Sequence, residues 1–257
     1  MLSRRDFLKL GGATMLAAAL PRLDFPNAGE TEPAPLIWKG SARRRYVAMT
    51  YDDCTWLTRM HEMEALLEEY PDVRITLFPT GENIVSKNAQ DPGIWNRFYD
   101  KGHDIGYHSW DHTSFGVMSP EAALADFDRW MEAYVEAMGF EPPVRFARPT
   151  YGVLSPSFDI LCRERGLVGV MWSAAGGGET ATVMNNTFHK IQNGDIVLFH
   201  FRLDGIANSR AAFPYLKEQG IGAVTISALY DDLLREQNQA DGCDLTPAIS
   251  LTRTCMD

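Results

Sequence analysis

The chain is short of cysteine, of positive charge and of long apolar runs, and each shortage excludes a class of protein. Four cysteines in 257 residues cannot staple a small disulfide-framed fold, so a hydrophobic core must supply the stability. No stretch approaches the roughly 20 consecutive apolar residues that cross a bilayer, so no integral span is expected in the mature chain. Lysine and arginine number 24 against 34 acids, a net charge of −10. That balance leaves no electrostatic footprint for nucleic acid or an anionic membrane surface, and it favours an uncharged or weakly charged substrate. No internal repeat is visible.

What is present is enough for one sizeable core, with 45% hydrophobic residues, and a single α/β barrel is an ordinary size for this length. The N-terminus begins Ser3-Arg4-Arg5-Asp6-Phe7-Leu8-Lys9 and continues with an apolar run over residues 10–20. It resembles a twin-arginine export signal, with that export machinery as the expected partner and a periplasmic or secreted location as the outcome. Cleavage after Ala17-Ala18-Ala19 and cleavage near Ala28 both fit; the latter takes the net charge to −12, since Arg4, Arg5, Lys9 and Arg22 leave with Asp6 and Asp24. The expected boundaries are a signal over 1–28, a Pro/Gly-rich linker over 29–44, a catalytic domain over 45–236 and a tail over 237–257. Cys243 and Cys255 flank a polar stretch of that tail and could close a loop in an oxidising compartment.

From Arg45 onward short apolar runs alternate with amphipathic segments. Residues 46–51, 73–78, 104–107, 144–147, 167–172, 196–200 and 223–226 read as strands. Residues 58–70, 120–138, 156–165, 210–219 and 228–236 read as helices, the second opened by Ser119 as N-cap with Pro120 behind it. Alternation of this kind argues for parallel βαβ units. Asp52-Asp53, His108, Arg148 with Tyr151, and His200 all fall at or just after strand C-termini, the face where parallel barrels gather their active sites.

Two histidines four apart, in His108-Ser109-Trp110-Asp111-His112, and the distant carboxylate pair Asp52-Asp53 are the residue types that metal-assisted hydrolysis needs. A divalent ion with an open position takes about three protein ligands, which leaves one carboxylate free to accept a proton. A lone His-x-x-x-His is a weak signal. A catalytic thiol at Cys54, next to the pair, is a competing expectation.

Four runs in order strengthen the case. Thr50-Tyr51-Asp52-Asp53-Cys54, His108 to His112, Arg148-Pro149-Thr150-Tyr151-Gly152 and Leu198-Phe199-His200 resemble motifs of the polysaccharide deacetylase family, which shares the NodB homology domain and forms carbohydrate esterase family 4. The likeness covers roughly residues 45–235. It implies a distorted, incomplete (β/α) barrel of about seven parallel strands, and one divalent metal ion, Zn2+ foremost, with Co2+ or another divalent ion open. By the resemblance Asp53, His108 and His112 are the ligands and Asp52 is the general base. Arg148 holds Asp52, the Tyr151 backbone N–H stabilises the oxyanion, and His200 is the general acid. Trp110, Trp172 and Leu198 are the expected substrate contacts.

One departure stands out. The family's fourth motif places an Asp shortly after a Trp-Ser pair, and Trp172-Ser173-Ala174-Ala175 puts Ala175 there. His200 then lacks its usual partner unless Glu179, Asp195 or Asp204 substitutes. The resemblance implies removal of N-acetyl groups, with O-acetyl open, from an extracytoplasmic glycan. A catalytically impaired carbohydrate-binding relative and a hydrolase of small cyclic amides are the alternatives.

Overall fold

The computed structural model describes residues 32–240; the export signal, its cleavage site and Cys243 with Cys255 lie outside them. The strands run in chain order as β1 Leu36–Ile37, β2 Tyr46–Asp53, β3 Thr76–Pro79, β4 Asp104–Ile105, β5 Phe146–Ala147, β6 Val168–Val170, β7 Ala174–Ala175, β8 Ile196–His200 and β9 Gly222–Val224. The helices are α1 Leu57–Glu69, α2 Gly81–Gln90, α3 Ile94–Asp100, α4 Pro120–Met138, α5 Pro156–Arg165, α6 Thr180–Asn186, α7 Leu203–Glu218 and α8 Ile226–Ala240. Every strand expected from the apolar runs is present, and the two-residue β1 and β7 join them.

All strand pairs are parallel. One sheet has the order β4-β3-β2-β8-β7, with β9 also pairing β2, and a second has the order β1-β6-β5. A bridge between Tyr107 and Ala147 links the two, through Tyr107 N–H to Phe146 C=O and Arg148 N–H to Tyr107 C=O, both 2.9 Å. The result is the expected incomplete barrel: curved parallel sheets that do not close into one continuous ring of strands.

Period-2 alternation assigns the two faces of β2 and β8 to two cores. Tyr46, Ala48 and Ile196 pack inward with Phe78, Phe146, Val170 and Ile226. Val47, Met49, Tyr51, Val197 and Phe199 face outward against the helices. Thr50 and Asp52 continue the inward face of β2, in register with Leu198 and His200 of β8, so the core grades into polar side chains at the strand ends.

Helices α4 and α5 begin where side chains take the unpaired N–H groups. Ser119 Oγ caps α4 at Ala122 N–H (3.2 Å) and Ser155 Oγ caps α5 at Phe158 N–H (3.2 Å), each followed by proline. Both helices end on left-handed glycines, Gly139 and Gly166.

Two expectations need correction. The 29–44 stretch is not all linker, because Leu36 and Ile37 pair with Gly169 and Val170 and complete the β1-β6-β5 sheet. Helix α7 begins at Leu203 rather than near 210, although Gly205, Asn208 and Ser209 are poor interior helix residues. Tertiary contacts explain them. A Cβ on Gly205 would lie 2.1 Å from the His200 carbonyl oxygen. Buried Asn208 donates to Gly176 C=O (2.7 Å) and Ser209 Oγ meets the Tyr51 hydroxyl (2.6 Å).

Gly205→Ala is therefore expected to cost about 2 kcal/mol or more in urea unfolding, because the clash is with backbone. Gly220→Ala, which adds a methyl to open space at φ +64, should cost only about 1 kcal/mol from its left-handed backbone. Equal losses at the two positions would mean that α7 does not press on β8 as described.

Candidate active site

Asp52 and Asp53 share the site because β2 ends in a backbone reversal. Asp53 and Cys54 have φ of +65 and +56, outside the range a strand can continue. Asn83 Nδ2 donates to the Asp53 carbonyl (2.9 Å) and Cys54 N–H to the Asp52 carbonyl (2.8 Å), which holds the reversal. Left-handed φ at Cys54 is backbone that glycine adopts freely and a cysteine adopts only where its surroundings impose it. The Cys54 thiol is fully buried, and burial with the charges of Asp53 and Asp52 pushes it well above its ordinary pKa. A thiol that cannot ionise there is no nucleophile.

The His108–His112 loop is built the same way. Ser109 and His112 have φ of +62 and +68, and Ser109 Oγ accepts from His112 N–H at 2.9 Å. The loop docks on the N-terminus of α2, where Gly81 and Glu82 N–H donate to the Ser109 and Trp110 carbonyls, both at 3.0 Å. His108 Nδ1 lies 2.8 Å from the Arg148 carbonyl, and only a protonated Nδ1 can bond a carbonyl. The tautomer is thereby set, and the Nε2 lone pair is free.

These elements converge. One ligand atom from each of Asp53, His108 and His112 lies within 4.8 Å of the other two. Asp53 Oδ1 is 3.6 Å from His108 Nε2 and 3.3 Å from His112 Nε2. That oxygen is buried with no hydrogen-bond partner, a costly condition for a carboxylate that a cation would relieve. Two imidazoles and a carboxylate with an orphaned oxygen fit a divalent ion of the zinc type. Burial, then His108, lowers the His112 pKa and favours the neutral ligand form.

Asp52 stands beside this trio, with Oδ2 at 3.7 Å from His108 Nε2. Its Oδ1 accepts from Arg148 Nη1 at 2.8 Å. Arg148 is wholly buried and spends its other donors on Thr50 Oγ1 (2.7 Å) and the Val170 and Met171 carbonyls (both 3.2 Å). His200 Nε2 is 4.0 Å from Asp53 Oδ2. Tyr151 is 69% exposed, has φ +57, and sets its ring edge-on to His112 with centroids 4.4 Å apart.

The expected substrate contacts fare unevenly. Trp110 lies against Gly81, with the Arg129 guanidinium 3.6 Å from its ring centroid, so protein groups already pack this indole. Trp172 is half-buried beside Gly152 and the inner core. Leu198 is half-buried one inward step below His200.

None of the three carboxylates expected to replace the missing Asp contacts His200. Glu179 caps α6, Asp195 bonds Ser173 Oγ and Gln192 N–H, and Asp204 accepts from Gly178 N–H. Ala175 pairs with Leu198 on the His200 side of β8. Thr50 opens the first motif but was assigned no role, and no motif contains Arg202 (4.0 Å from Asp53 Oδ2) or Asp126, which accepts from Trp110 N–H. Thr50 had a signal in its two-residue offset from Asp52; the other two had none.

His61 and His103 make their contacts away from this trio. A second cluster, His61, Glu64 and Asp91, already holds a cation, because Arg97 bonds both carboxylates at 2.7 and 2.5 Å. His103 is buried and its Nδ1 accepts from Ile75 N–H at 3.1 Å.

With the fold and geometry in place, comparison decides the family. A sequence model described as polysaccharide deacetylase matches residues 39–169, half of the chain. The chain belongs to the polysaccharide deacetylase family. A model of the twin-arginine translocation signal matches residues 1–21. Among similar deacetylases, the peptidoglycan-N-acetylglucosamine deacetylase PgdA of Listeria monocytogenes is 26% identical over 86% of this chain. The chain spans 45% of the length of that relative. Two solved structures share the fold. The Bc1960 peptidoglycan N-acetylglucosamine deacetylase has a TM-score of 0.68 at 23% identity, over 76% of this chain and 92% of that one. BA3943, a CE4 family pseudoenzyme from Bacillus anthracis, has a TM-score of 0.70 at 21% identity, over 79% and 70%.

Two outcomes follow for this deacetylase-family site. Arg148→Met leaves the Asp52 carboxylate buried beside an apolar chain, and a loss of about 3–5 kcal/mol is expected in chemical denaturation; a loss under about 1 kcal/mol would show that water replaces the guanidinium. Burial, with Arg74 and Lys101 nearby, lowers the His103 pKa from 6.5 to about 4. Above 6.5 the ring is neutral in folded and unfolded chains alike. As pH falls through 6.5 toward 4, the unfolded chain protonates first, and about 3 kcal/mol of stability is lost. His103→Gln should flatten that part of the stability–pH curve, and an unchanged slope would assign the loss elsewhere.

Proposed function

We propose that this protein is a metal-dependent hydrolase that removes acetyl groups, N-linked to amino sugars first and O-linked second, from a glycan outside the cytoplasm. The observation that carries the reading is the convergence of Asp53, His108 and His112 with an Asp52 whose one oxygen is tied to Arg148 and whose other is left to work. A divalent ion held by that trio, Zn2+ by donor set, would polarise the acetyl carbonyl and bring the pKa of the attacking water to about 7.

The chain's own residues supply the rest. Asp52 Oδ2 takes the proton from the water as its oxygen bonds to the acetyl carbon. Arg148 keeps Asp52 aimed, through a charge-assisted bond in a dry interior. The carbonyl oxygen gains charge and needs a fixed donor. The Tyr151 N–H has that role; the turn's own bonds come from Gly152 and Val153, at 3.0 and 3.1 Å. His200 then protonates the leaving nitrogen as the C–N bond breaks, giving acetate and a free amine. Trp172 and Leu198 line the approach; Trp110 supports the loop from behind.

Export by the twin-arginine route puts the enzyme in the periplasm or outside the cell, where its glycan substrate would be met. The names of the similar deacetylases make N-acetylglucosamine in peptidoglycan the first substrate to try. Ala175 favours a second reading, a carbohydrate-binding relative with impaired catalysis.

Acetate release from N-acetylglucosamine oligomers and peptidoglycan separates the two. Chelation should abolish release and Zn2+ should restore it. His200→Ala should lower turnover about 10²–10⁴-fold while one metal per chain is retained. Acetate from no substrate, with the ion bound and the protein folded, would leave the binding relative standing.

A further inference from the structure

Outside the motifs, one half-buried carboxylate touches the strand-side flank and the middle of the metal-binding loop. Asp126 lies on α4, and its Oδ1 accepts from Trp110 N–H at 2.8 Å and from the Tyr107 hydroxyl. Tyr107 immediately precedes His108, and Trp110 lies between His108 and His112. The same helix sets the Arg129 guanidinium over the Trp110 ring and bonds Trp130 Nε1 to the Pro79 carbonyl at 2.9 Å, at the end of β3. Tyr107 is fully buried, so its hydroxyl has no water to fall back on if Asp126 is lost.

The loop needs such a hold. Ser109 and His112 sit in left-handed backbone, a conformation that persists only where the surroundings impose it. The Ser109–His112 bond is internal to the turn and cannot fix it to the body of the protein. Its two bonds to α2 hold the middle of the loop alone. Asp126 joins that middle, at Trp110, to the strand-side residue at Tyr107.

We propose that Asp126 is a positioning residue for the metal centre: by accepting from Tyr107 and Trp110 it holds His108 and His112 at coordinating separation. The proposal rests on the reading that Asp53, His108 and His112 bind a divalent ion.

The test is Zn2+ affinity, measured on the full chain by competition with a chromophoric chelator, together with the visible spectrum of the Co2+-loaded protein. Asp126→Leu removes the acceptor, and Asp126→Asn keeps one oxygen able to take both donors. Asp126→Leu should weaken Zn2+ binding about 10–100-fold and change the Co2+ spectrum, while Asp126→Asn stays within about threefold of wild type. A lowered melting temperature alone, with affinity and spectrum as in wild type, would overturn the proposal. Should Asp126→Leu not fold, Tyr107→Phe decides, because it removes one of the two bonds; unchanged affinity and spectrum there would overturn it equally. Wild-type protein that takes up no Zn2+ would remove the metal reading, and this proposal with it.

Discussion

The buried Arg148 guanidinium is the contact on which the rest of the structure depends. Its side chain reaches Thr50 and Asp52 on β2 and the Val170 and Met171 carbonyls at the end of β6, so it ties the two sheets together where their strands stop pairing. The Phe78 ring lies 4.3 Å from its charge, on the inner face. Its backbone does as much, taking the His108 ring on the carbonyl and giving the N–H to Tyr107. A barrel that does not close needs something to hold its open seam. Here one arginine holds the seam and orients the proposed base with its guanidinium, and sets the His108 tautomer with its backbone carbonyl.

Backbone strain marks the same place. Among the described residues, the non-glycine positions with positive φ are Asp53, Cys54, Ser109, His112 and Tyr151. Every one is, or adjoins, a residue with a role in the proposed chemistry. Each costs on the order of 1 kcal/mol, and bonds from neighbouring elements hold it there. The return is geometric: adjacent strand residues point apart, and only a reversal lets Asp52 and Asp53 serve one centre.

Much of this was readable in the chain. The seven apolar runs gave the strands because their period and length are local properties, and Ser119 with Pro120 marked the start of α4 for the same reason. The ligand set came from motif order and residue type. Helix α7 was read too short, because Gly205, Asn208 and Ser209 are chosen for contacts with His200, the glycine loop and Tyr51, against local propensity. Trp110 was read as a sugar contact, because sequence cannot show that Arg129 covers it. Asp126 was invisible, because one more acid on an amphipathic helix carries no mark of what lies across from it.

By itself the sequence determined the class of fold, the export signal and the identity of the residues that could bind an ion and move a proton. These follow from periodicity and functional-group chemistry, which a chain carries wherever it folds. Tertiary structure alone decided that Asp53 Oδ1 would be buried without a partner, that His108 would present Nε2, and that Glu179, Asp195 and Asp204 would each bond elsewhere than at His200. Those outcomes depend on distances between residues far apart in the chain, and side-chain type does not encode distance.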